Sequence, residues 1–330
     1  MQGTHVAIAL ALSIGLTMAP LSGGMQHAAM ANDTTLYVGG SGPGNYSTIQ
    51  AALDAAGDGD TVYVYSGTYR ETISISCPLR LTGEHRHDTV IDGHRAGTVV
   101  HIAAEAVVDN ITVTGAGGGE NTAGINISAD NVVLKDTVVD DSEHHAVILS
   151  AASACTLSGN ELTGHRYTGV YLDRNSPENI ITRNRIHPGI SGVYAAAGGQ
   201  TISYNNISNC SKGIYLEGSP GNTVIGNHLA GNQEGLFCSY AAGNTITENT
   251  FISNTRHARF IKLLRPGFLA PNRWSRNYWD DWNHVGGKII YGAIYIPSFS
   301  LIGLFMPWIE IDWHPAAEPY PAASVGPNHT

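Results

Sequence analysis

Residues 192 to 251 contain three copies of one pattern: GVYAAAGGQTISYNNI (192–207), GIYLEGSPGNTVIGNHL (213–229) and GLFCSYAAGNTITENTF (235–251). Each copy is a short apolar segment, a turn, a second apolar segment and then Asn, any residue, and Ile, Leu or Phe. The Gly that opens each copy recurs at steps of 23, 21 and 22 residues, at Gly169, Gly192, Gly213 and Gly235. A period of about 22 residues, with β-branched segments between Gly, Asn and Ser turns, predicts a solenoid.

The fold class that fits this period is an all-β, single-stranded, right-handed parallel β-helix. Leucine-rich repeats have a similar period, but they need a regular Leu skeleton and a convex helical segment that the sequence lacks. Turns of a β-helix stack at about 4.8 Å, so roughly nine turns predict a rod on the order of 40 Å long. The Asn of each copy is expected to have left-handed backbone angles and to hydrogen-bond to its neighbours in a structural ladder. These residues are Asn160, Asn184, Asn205, Asn227 and Asn249.

Charge and cysteine content limit the partners. Only 13% of the residues are charged and the net charge is −10, which argues against nucleic acid and acidic lipid as the main partner. The four cysteines, Cys77, Cys155, Cys210 and Cys238, fall at different places within the repeat. Disulfide partners would need matched positions on adjacent turns, so we expect free thiols.

The start of the chain predicts export and an N-terminal cap. Residues 1–31 have the apolar run and small-residue cleavage site of a signal peptide, which indicates a secreted, extracellular or periplasmic protein, with cell-surface association open. Residues 32–60 are predicted to form a strand and a capping helix, with Ser47 as the helix N-cap and Gln50 completing a capping box. The parallel β-helix is then expected over 61–279.

The end of the chain changes character. All five Trp lie between Trp274 and Trp313, and we expect an aromatic C-terminal cap over 280–320 and a disordered tail over 321–330. Residues 289–309 form 21 positions without a charge, which is long enough for a membrane span. Pro297 and Pro307 weaken that interpretation, so membrane anchoring through 289–309 is the less favoured alternative.

Two stretches carry a family resemblance. The opening TIQAALDAAGDGDTVYVYSGTYRE (48–71), followed by LRLTGEHRHDTVIDG (79–93), resembles that of secreted β-helix proteins of the NosD-like and pectate-lyase-like superfamily. The later segments NRWSRNYWDDW (272–282) and IDWHPAAEPY (311–320) resemble the end of the NosD-like repeats. The resemblance covers residues 34–320 and implies the fold. It leaves the function open, because the superfamily includes lyases, hydrolases, epimerases, binders and copper-site accessory proteins.

One edge of the predicted solenoid collects acids, bases and imidazoles. Residues about 22 apart superimpose in a β-helix, so the turns before each repeated Gly form one column. Three interpretations remain open for it: a solvated polar turn, a glycan groove and a metal site. The column contains Asp140, Asp141, Glu143, His144, His145, His165, Arg166, Tyr167, His187, Lys212, Glu234, Arg256 and His257.

The glycan interpretation predicts extracellular polysaccharide binding, with cleavage by a lyase or glycoside hydrolase as an open extension. Catalysis would then use Asp140 or Asp141 as acid and base, with His144 and His165 as proton carriers. Substrate would be bound by Arg166, as a carboxylate clamp, and by Tyr167, His187 and Lys212. The motifs of pectate lyases, polygalacturonases and alginate epimerases are absent, so the resemblance transfers no catalytic residue.

Two alternatives use the same surface differently. The NosD resemblance implies a periplasmic copper-handling role, with His144, His145, His165 and His187 as metal ligands. The cofactor stays open between none and a divalent metal, copper or calcium. The third alternative is a structural or adhesive rod without enzymatic activity. In every case we expect a monomer that binds no nucleic acid.

Overall fold

Three parallel sheets run the length of the molecule. The structure is a computed structural model that describes residues 34–266, 268–297 and 303–322. These described residues belong to one compact unit. Its architecture is the predicted one, an all-β, right-handed parallel β-helix of about ten turns. The predicted signal peptide and most of the predicted tail lie outside the described residues.

Each turn contributes one strand to each sheet, so each turn has three strands. Sheet A contains β1 (Thr35–Val38), β2 (Thr61–Val64), β5 (Leu79–Gly83), β8 (Ala106–Asp109), β11 (Val133–Lys135), β14 (Thr156–Ser158), β17 (Ile180–Thr182), β20 (Thr201–Ser203), β23 (Thr223–Ile225), β26 (Thr245–Thr247) and β29 (Arg273–Ser275). Sheet B contains β3 (Gly67–Tyr69), β6 (Thr89–Asp92), β9 (Thr112–Thr114), β12 (Val138–Val139), β15 (Glu161–Leu162), β18 (Arg185–Ile186), β21 (Asn206–Ser208), β24 (His228–Ala230), β27 (Thr250–Ile252) and β30 (Tyr278–Trp279). Sheet C contains β4 (Ile73–Ile75), β7 (Val100–Ile102), β10 (Ala123–Ile127), β13 (His145–Leu149), β16 (Thr168–Leu172), β19 (Gly189–Ala195), β22 (Cys210–Glu217), β25 (Glu234–Ser239), β28 (Arg256–Leu263), β31 (Lys288–Ile296) and β32 (Leu304–Asp312).

The repeated Gly marks the closest approach between turns. A Cβ on Gly192 would lie 2.6 Å from the carbonyl oxygen of Gly213, and one on Gly213 would lie 2.5 Å from that of Gly235. Because backbone atoms leave no room for a methyl group, Gly is required there. Inward-facing residues such as Val193, Ile214 and Leu236 align in register and are fully buried.

The predicted asparagine ladder is present. The Asn184 backbone N–H and side-chain amide both donate to Asn205 Oδ1, at 2.9 and 3.0 Å, and Asn205 repeats the pattern to Asn227. The ladder extends beyond the predicted set to Asn277, which donates to Asp312. The left-handed angles lie one residue earlier than expected, as at Tyr204 (φ 55°) and Glu248 (φ 57°), because the turn precedes the Asn.

The one described helix, α1 (Ile49–Ala55), packs Ile49, Ala52 and Leu53 into the core beside β1, β2 and β4. Its N-cap is Thr48, whose hydroxyl accepts from the Ala51 N–H, so the predicted Ser47 cap was wrong by one residue. The Glu71 carboxylate accepts from the Ile49 and Gln50 N–H groups, at 2.8 and 2.9 Å. A carboxylate from outside the helix thus satisfies donors that the capping box was expected to satisfy.

The charge-free segment is extended rather than helical. Its described residues lie in β31 and β32, which pair antiparallel from Lys288↔Asp312 to Ile296↔Leu304. We call this pair of strands the terminal hairpin. No helix in the described part of the chain is both long enough and apolar enough to cross a membrane. The four cysteines are free, as predicted.

Candidate functional site

The outer face of sheet C carries side chains in straight columns, because parallel strands in exact register place equivalent residues side by side. One column runs Ile148, Tyr171, Tyr194, Tyr215, Phe237 and Arg259. A second column beside it runs Ser191, Lys212, Glu234 and Arg256. From β13 to β28 the first column follows the rod axis for about 24 Å, and the second follows it for about 14 Å from β19 to β28.

The rings of the first column stack along the axis. The ring centroids of Tyr171 and Tyr194 are 4.9 Å apart with planes at 3°, and those of Tyr215 and Phe237 are 5.2 Å apart at 4°. The Arg259 guanidinium lies 3.9 Å from the Phe237 centroid. Between these two stacked pairs, Tyr194 and Tyr215 meet edge to face, with centroids 5.2 Å apart and planes at 73°. Within each stacked pair the faces cover one another, so ring edges and tyrosine hydroxyls point outward. We call these residues the aromatic column.

Charges of both signs flank the aromatic column. Glu234 pairs with Arg256 at 2.6 Å and with Arg259 at 2.9 Å. Lys212 Nζ lies 5.0 Å from the Tyr215 ring centroid and pairs with no carboxylate among the described residues. The Tyr194 hydroxyl donates to Glu217, and burial, together with this carboxylate, raises the pKa of Tyr194.

The predicted histidines lie at the N-terminal end of this face. His144 and Tyr167 have ring centroids 4.1 Å apart, and His145 lies 4.2 Å from His144 and 5.0 Å from Tyr171. Tyr167 is 43% exposed, so one of its sides is open to solvent. The structure therefore brings His144, His145 and Tyr167 together and joins them to the aromatic column.

Buried imidazole nitrogens at this end have no hydrogen-bond partner. Within the described residues the unpartnered atoms are His144 Nδ1, His145 Nδ1, both ring nitrogens of His165, and His187 Nε2. Burial lowers the pKa of His145 to about 3, with repulsion from His144 and His165 adding to the shift. Burial also lowers the pKa of His165 to about 4. The rings of His145 and His165 are therefore neutral at pH 7. We call His144, His145, His165 and His187 the histidine edge.

Among the residues that the structure describes, the predicted acid and clamp residues form no hydrogen bond or ion pair with the imidazoles. The Asp141 carboxylate accepts two hydrogen bonds from Arg95, at 2.6 and 2.7 Å, from two turns earlier. Asp140 lies against the turn at Gly164, where a Cβ would come within 2.3 Å of the Asp140 carboxylate. The Arg166 side chain is exposed and pairs with no carboxylate in the described part of the chain. The proposed roles of these residues remain predictions.

Copper is the ligand implied by the NosD resemblance, and the histidine edge can be tested for fit. Neutral imidazoles are suitable copper ligands by chemistry. Among the described residues, however, no three of these four histidines place ligand atoms within 4.8 Å of one another. The imidazole nitrogens are suitable donors for copper, but these four histidines do not converge on a three-ligand centre.

Sequence reasoning placed His257 in the polar column but missed the cleft of about 320 Å³ that this residue lines at the C-terminal end of the same face. His257 Nε2 lies 2.7 Å from Asp280 and 3.3 Å from Asp281, and Lys288 Nζ lies 2.6 Å from Asp281. Tyr291, which is 70% exposed, lines the opening. The two Asp follow the last repeat, so no 22-residue spacing connects them with His257, and only the pair of adjacent acids hinted at a site.

Two further stacked asparagines, Asn232 and Asn254, fix the proton of His257. Asn254 Oδ1 accepts from the Asn232 backbone and side chain, so its amide nitrogen faces His257 Nδ1 at 3.3 Å. His257 Nδ1 therefore accepts, and its Nε2–H donates to Asp280. A metal at Nε2 would have to displace that proton, so we interpret the trio as a hydrogen-bonded group that orients the Asp280 carboxylate.

The family of periplasmic copper-binding proteins described as NosD matches residues 55–295. None of the curated proteins matches the sequence.

Three solved structures share the fold. An alginate lyase from Paenibacillus sp. str. FPU-7 has a TM-score of 0.54 at 15% identity over 74% of this chain and 95% of its own. XylC in complex with xylose has a TM-score of 0.57 at 10% identity over 74% and 71%. DFA-IIIase from Arthrobacter chlorophenolicus A6, in complex with DFA-III, has a TM-score of 0.55 at 14% identity over 83% and 90%. At these identities the likeness concerns the fold alone.

Proposed function

The chain belongs to the NosD family, and we propose that it uses the outer face of sheet C to bind an extended polysaccharide outside the cytoplasm. The observation that carries this proposal is the shape of that face. Its aromatic column runs in register along the rod axis from Ile148 to Arg259, and the charged column beside it runs from Ser191 to Arg256. A straight strip about 24 Å long suits a linear polymer better than a small compact ligand.

The chemistry of the strip also suits sugars. Tyrosine hydroxyls, Glu217, Lys212 and the imidazoles at its N-terminal end supply donors and acceptors for sugar hydroxyls. The exposed side of Tyr167 provides one ring face on which an apolar sugar face can pack. The charges are of both signs, so the strip does not require a polyanion. That the XylC and DFA-IIIase structures were solved with sugars is consistent with this ligand class.

Co-sedimentation with a panel of neutral and acidic polysaccharides tests binding, using the chain from Asn32 onward. Tyr215→Ala and Lys212→Gln should each weaken binding to a polysaccharide that the wild type retains. Tyr204→Ala is the matched control, because Tyr204 carries Arg183 over its ring at 5.6 Å but lies on the turn after β20, away from sheet C. Equal loss in Tyr215→Ala and Tyr204→Ala would refute the assignment of the face.

Cleavage is a separate proposal about the same strip. The candidates are Asp140 or Asp141 as acid and base, His144 and His165 as proton carriers, and Arg166 as clamp. New reducing or unsaturated ends in the same panel would support a hydrolase or a lyase, respectively. Their loss in His144→Gln, with polysaccharide binding retained, would support this site. Loss in Asp280→Asn instead would move catalysis to the cleft beside His257.

Copper handling is the second candidate, and one specific observation favours it. The histidine edge holds five buried, unpartnered imidazole nitrogens, in a family described as copper-binding. The lack of three converging ligands stands against it. If copper binds there, it should raise the melting temperature, and the rise should vanish in the His144→Ala, His165→Ala double variant. An unchanged melting temperature would remove this candidate without affecting the polysaccharide proposal.

A further inference from the structure

The terminal hairpin exposes apolar side chains on both of its faces. Successive residues of a strand point to opposite faces, and β32 is the last strand of sheet C, with one edge unpaired. Its residues from Leu304 to Ile309 are all exposed, and none is charged. The exposed fractions are 64% for Leu304, 51% for Phe305, 39% for Met306, 48% for Trp308, 47% for Ile309 and 70% for Tyr291 across the strand pair. A patch of this kind marks an interaction surface.

Two arginines beside the hairpin have no carboxylate partner in the described part of the chain, although the whole chain is acidic. Between Arg256 and Lys288 the sequence has seven Lys and Arg against two Asp, but five of the seven are paired with carboxylates, which leaves Arg265 and Arg273. Arg273 is exposed and lines a cleft with Trp308 and Trp313. Arg265 is exposed directly after Leu264, whose N–H donates to the Tyr295 carbonyl. The exposed apolar surface is therefore bordered by positive charge.

We propose that the terminal hairpin docks the protein on an anionic lipid bilayer surface. Exposed Trp, Tyr, Phe and Leu side chains with flanking Arg are the composition that binds the bilayer interface. A bilayer can cover both faces of a projecting hairpin, whereas a flat protein partner covers one. The charge around the hairpin is complementary to anionic headgroups.

The unpaired edge of β32 limits how deeply the hairpin can enter the bilayer. The same edge argues against a second copy of the chain as the partner that covers the hairpin. An open strand edge cannot enter the hydrocarbon core, because its N–H and C=O groups would lose hydrogen bonds there. The hairpin therefore lies at headgroup level and does not span the membrane. Edge-to-edge pairing with another copy is hindered by Pro307, which lacks a donor and is of the kind that keeps edge strands unpaired.

The test is sedimentation of the chain from Asn32 onward with vesicles of phosphatidylcholine alone and of phosphatidylcholine with phosphatidylglycerol. We expect binding to the mixed vesicles that weakens with added salt. The triple variant Leu304→Ser, Phe305→Ser, Trp308→Ser should lose about tenfold or more in affinity. Arg265→Glu with Arg273→Glu should remove the preference for the anionic vesicles.

The control replaces three other large, exposed side chains elsewhere on the molecule. Tyr37, Ile180 and Tyr204, on or beside sheet A, are 42 to 43% exposed, and changing all three to Ser should leave vesicle binding intact. Should the hairpin triple variant misfold, Phe305→Ser alone gives the same comparison. Vesicle binding that is absent, or equal in the hairpin and control variants, would overturn the proposal. A dimer in lipid-free solution that the hairpin variant abolishes would also overturn it, in favour of a second copy.

Discussion

The asparagine ladder and the histidine edge both bury polar atoms, but only the ladder satisfies them. Asn205 is 1% exposed, and its side chain accepts two hydrogen bonds and donates two. His165 is 3% exposed, and neither of its ring nitrogens makes a hydrogen bond of normal geometry, although a backbone contact with Thr163 partly offsets the lowering of its pKa by burial. A satisfied buried amide specifies the register of the solenoid. An unsatisfied imidazole at the same depth costs stability and is available for a ligand.

The largest effect is expected inside the ladder. Asn205→Ala removes the acceptor of two Asn184 donors and the donor to the Ile181 carbonyl. The free energy of unfolding measured in urea should therefore fall by about 4 kcal/mol. Asn206→Ala, one residue later on β21 and half-buried, is the control and should change the free energy of unfolding by about 0.5 kcal/mol or less. Similar losses in both variants would show that the ladder contributes nothing special.

The next largest effect is expected at a carboxylate that accepts hydrogen bonds from the last Asn of a ladder. A second ladder of Asn and Gln ends at Glu310, which accepts from Asn272 and Trp274 and pairs with the buried Lys262 at 2.5 Å. Glu310→Gln leaves the Lys262 charge without its partner and should cost about 3 kcal/mol in thermal or urea unfolding. Asp281→Asn breaks the exposed pair with Lys288 and should cost under about 1 kcal/mol. Equal losses of unfolding free energy in the two variants would contradict the conclusion that burial makes the loss of the Lys262 partner more costly.

Acid should destabilise the protein through the histidine edge. The folded pKa values of His145 and His165, about 3 and about 4, lie below the usual value of 6.5. The unfolded chain therefore binds protons first, so the stability is complete above pH 6.5 and is lost as the pH falls toward 4. Each histidine should contribute about 2 kcal/mol of that loss. Urea titrations from pH 7.5 to 4.5 measure it, and a flat profile over this range would contradict the burial of neutral rings.

The smallest expected change in the free energy of unfolding is zero or a gain, whereas the other changes are losses. His165→Leu replaces unpartnered nitrogens with apolar atoms, so its free energy of unfolding at pH 7 should be unchanged or raised by up to about 1 kcal/mol. The variant should also lose the His165 share of the acid sensitivity. A destabilisation comparable to Asn205→Ala would show that His165 is a structural residue like the ladder amides.

The solenoid was predictable because its constraints repeat. The spacing of Gly169, Gly192 and Gly213 reports a backbone contact on every turn, and the Asn column reports a hydrogen-bonding chain of the same period. The second ladder escaped notice, because Gln200 interrupts its run of Asn. The helix cap was misplaced by one residue, because Thr48 is the N-cap and Glu71, 22 residues from Ile49, accepts from the first N–H groups of the helix.

The site was predictable in position and only partly in chemistry. Column reasoning placed His144, His145 and Tyr167 together on one edge, and they are in contact. It could not show that Arg95 neutralises Asp141, because that contact crosses two turns. The cleft at His257 depends on Asp280 and Asp281, which lie beyond the last repeat, where spacing no longer predicts neighbours.

Hydrogen exchange of the chain from Asn32 onward, with and without an oligosaccharide of a polysaccharide that it retains, tests the proposed function most directly. Binding along the outer face of sheet C should slow exchange in β16, β19, β22 and β25 and leave sheets A and B unchanged. Protection confined to the turns of sheet A or sheet B would contradict the proposal. So would retention of no polysaccharide in the panel.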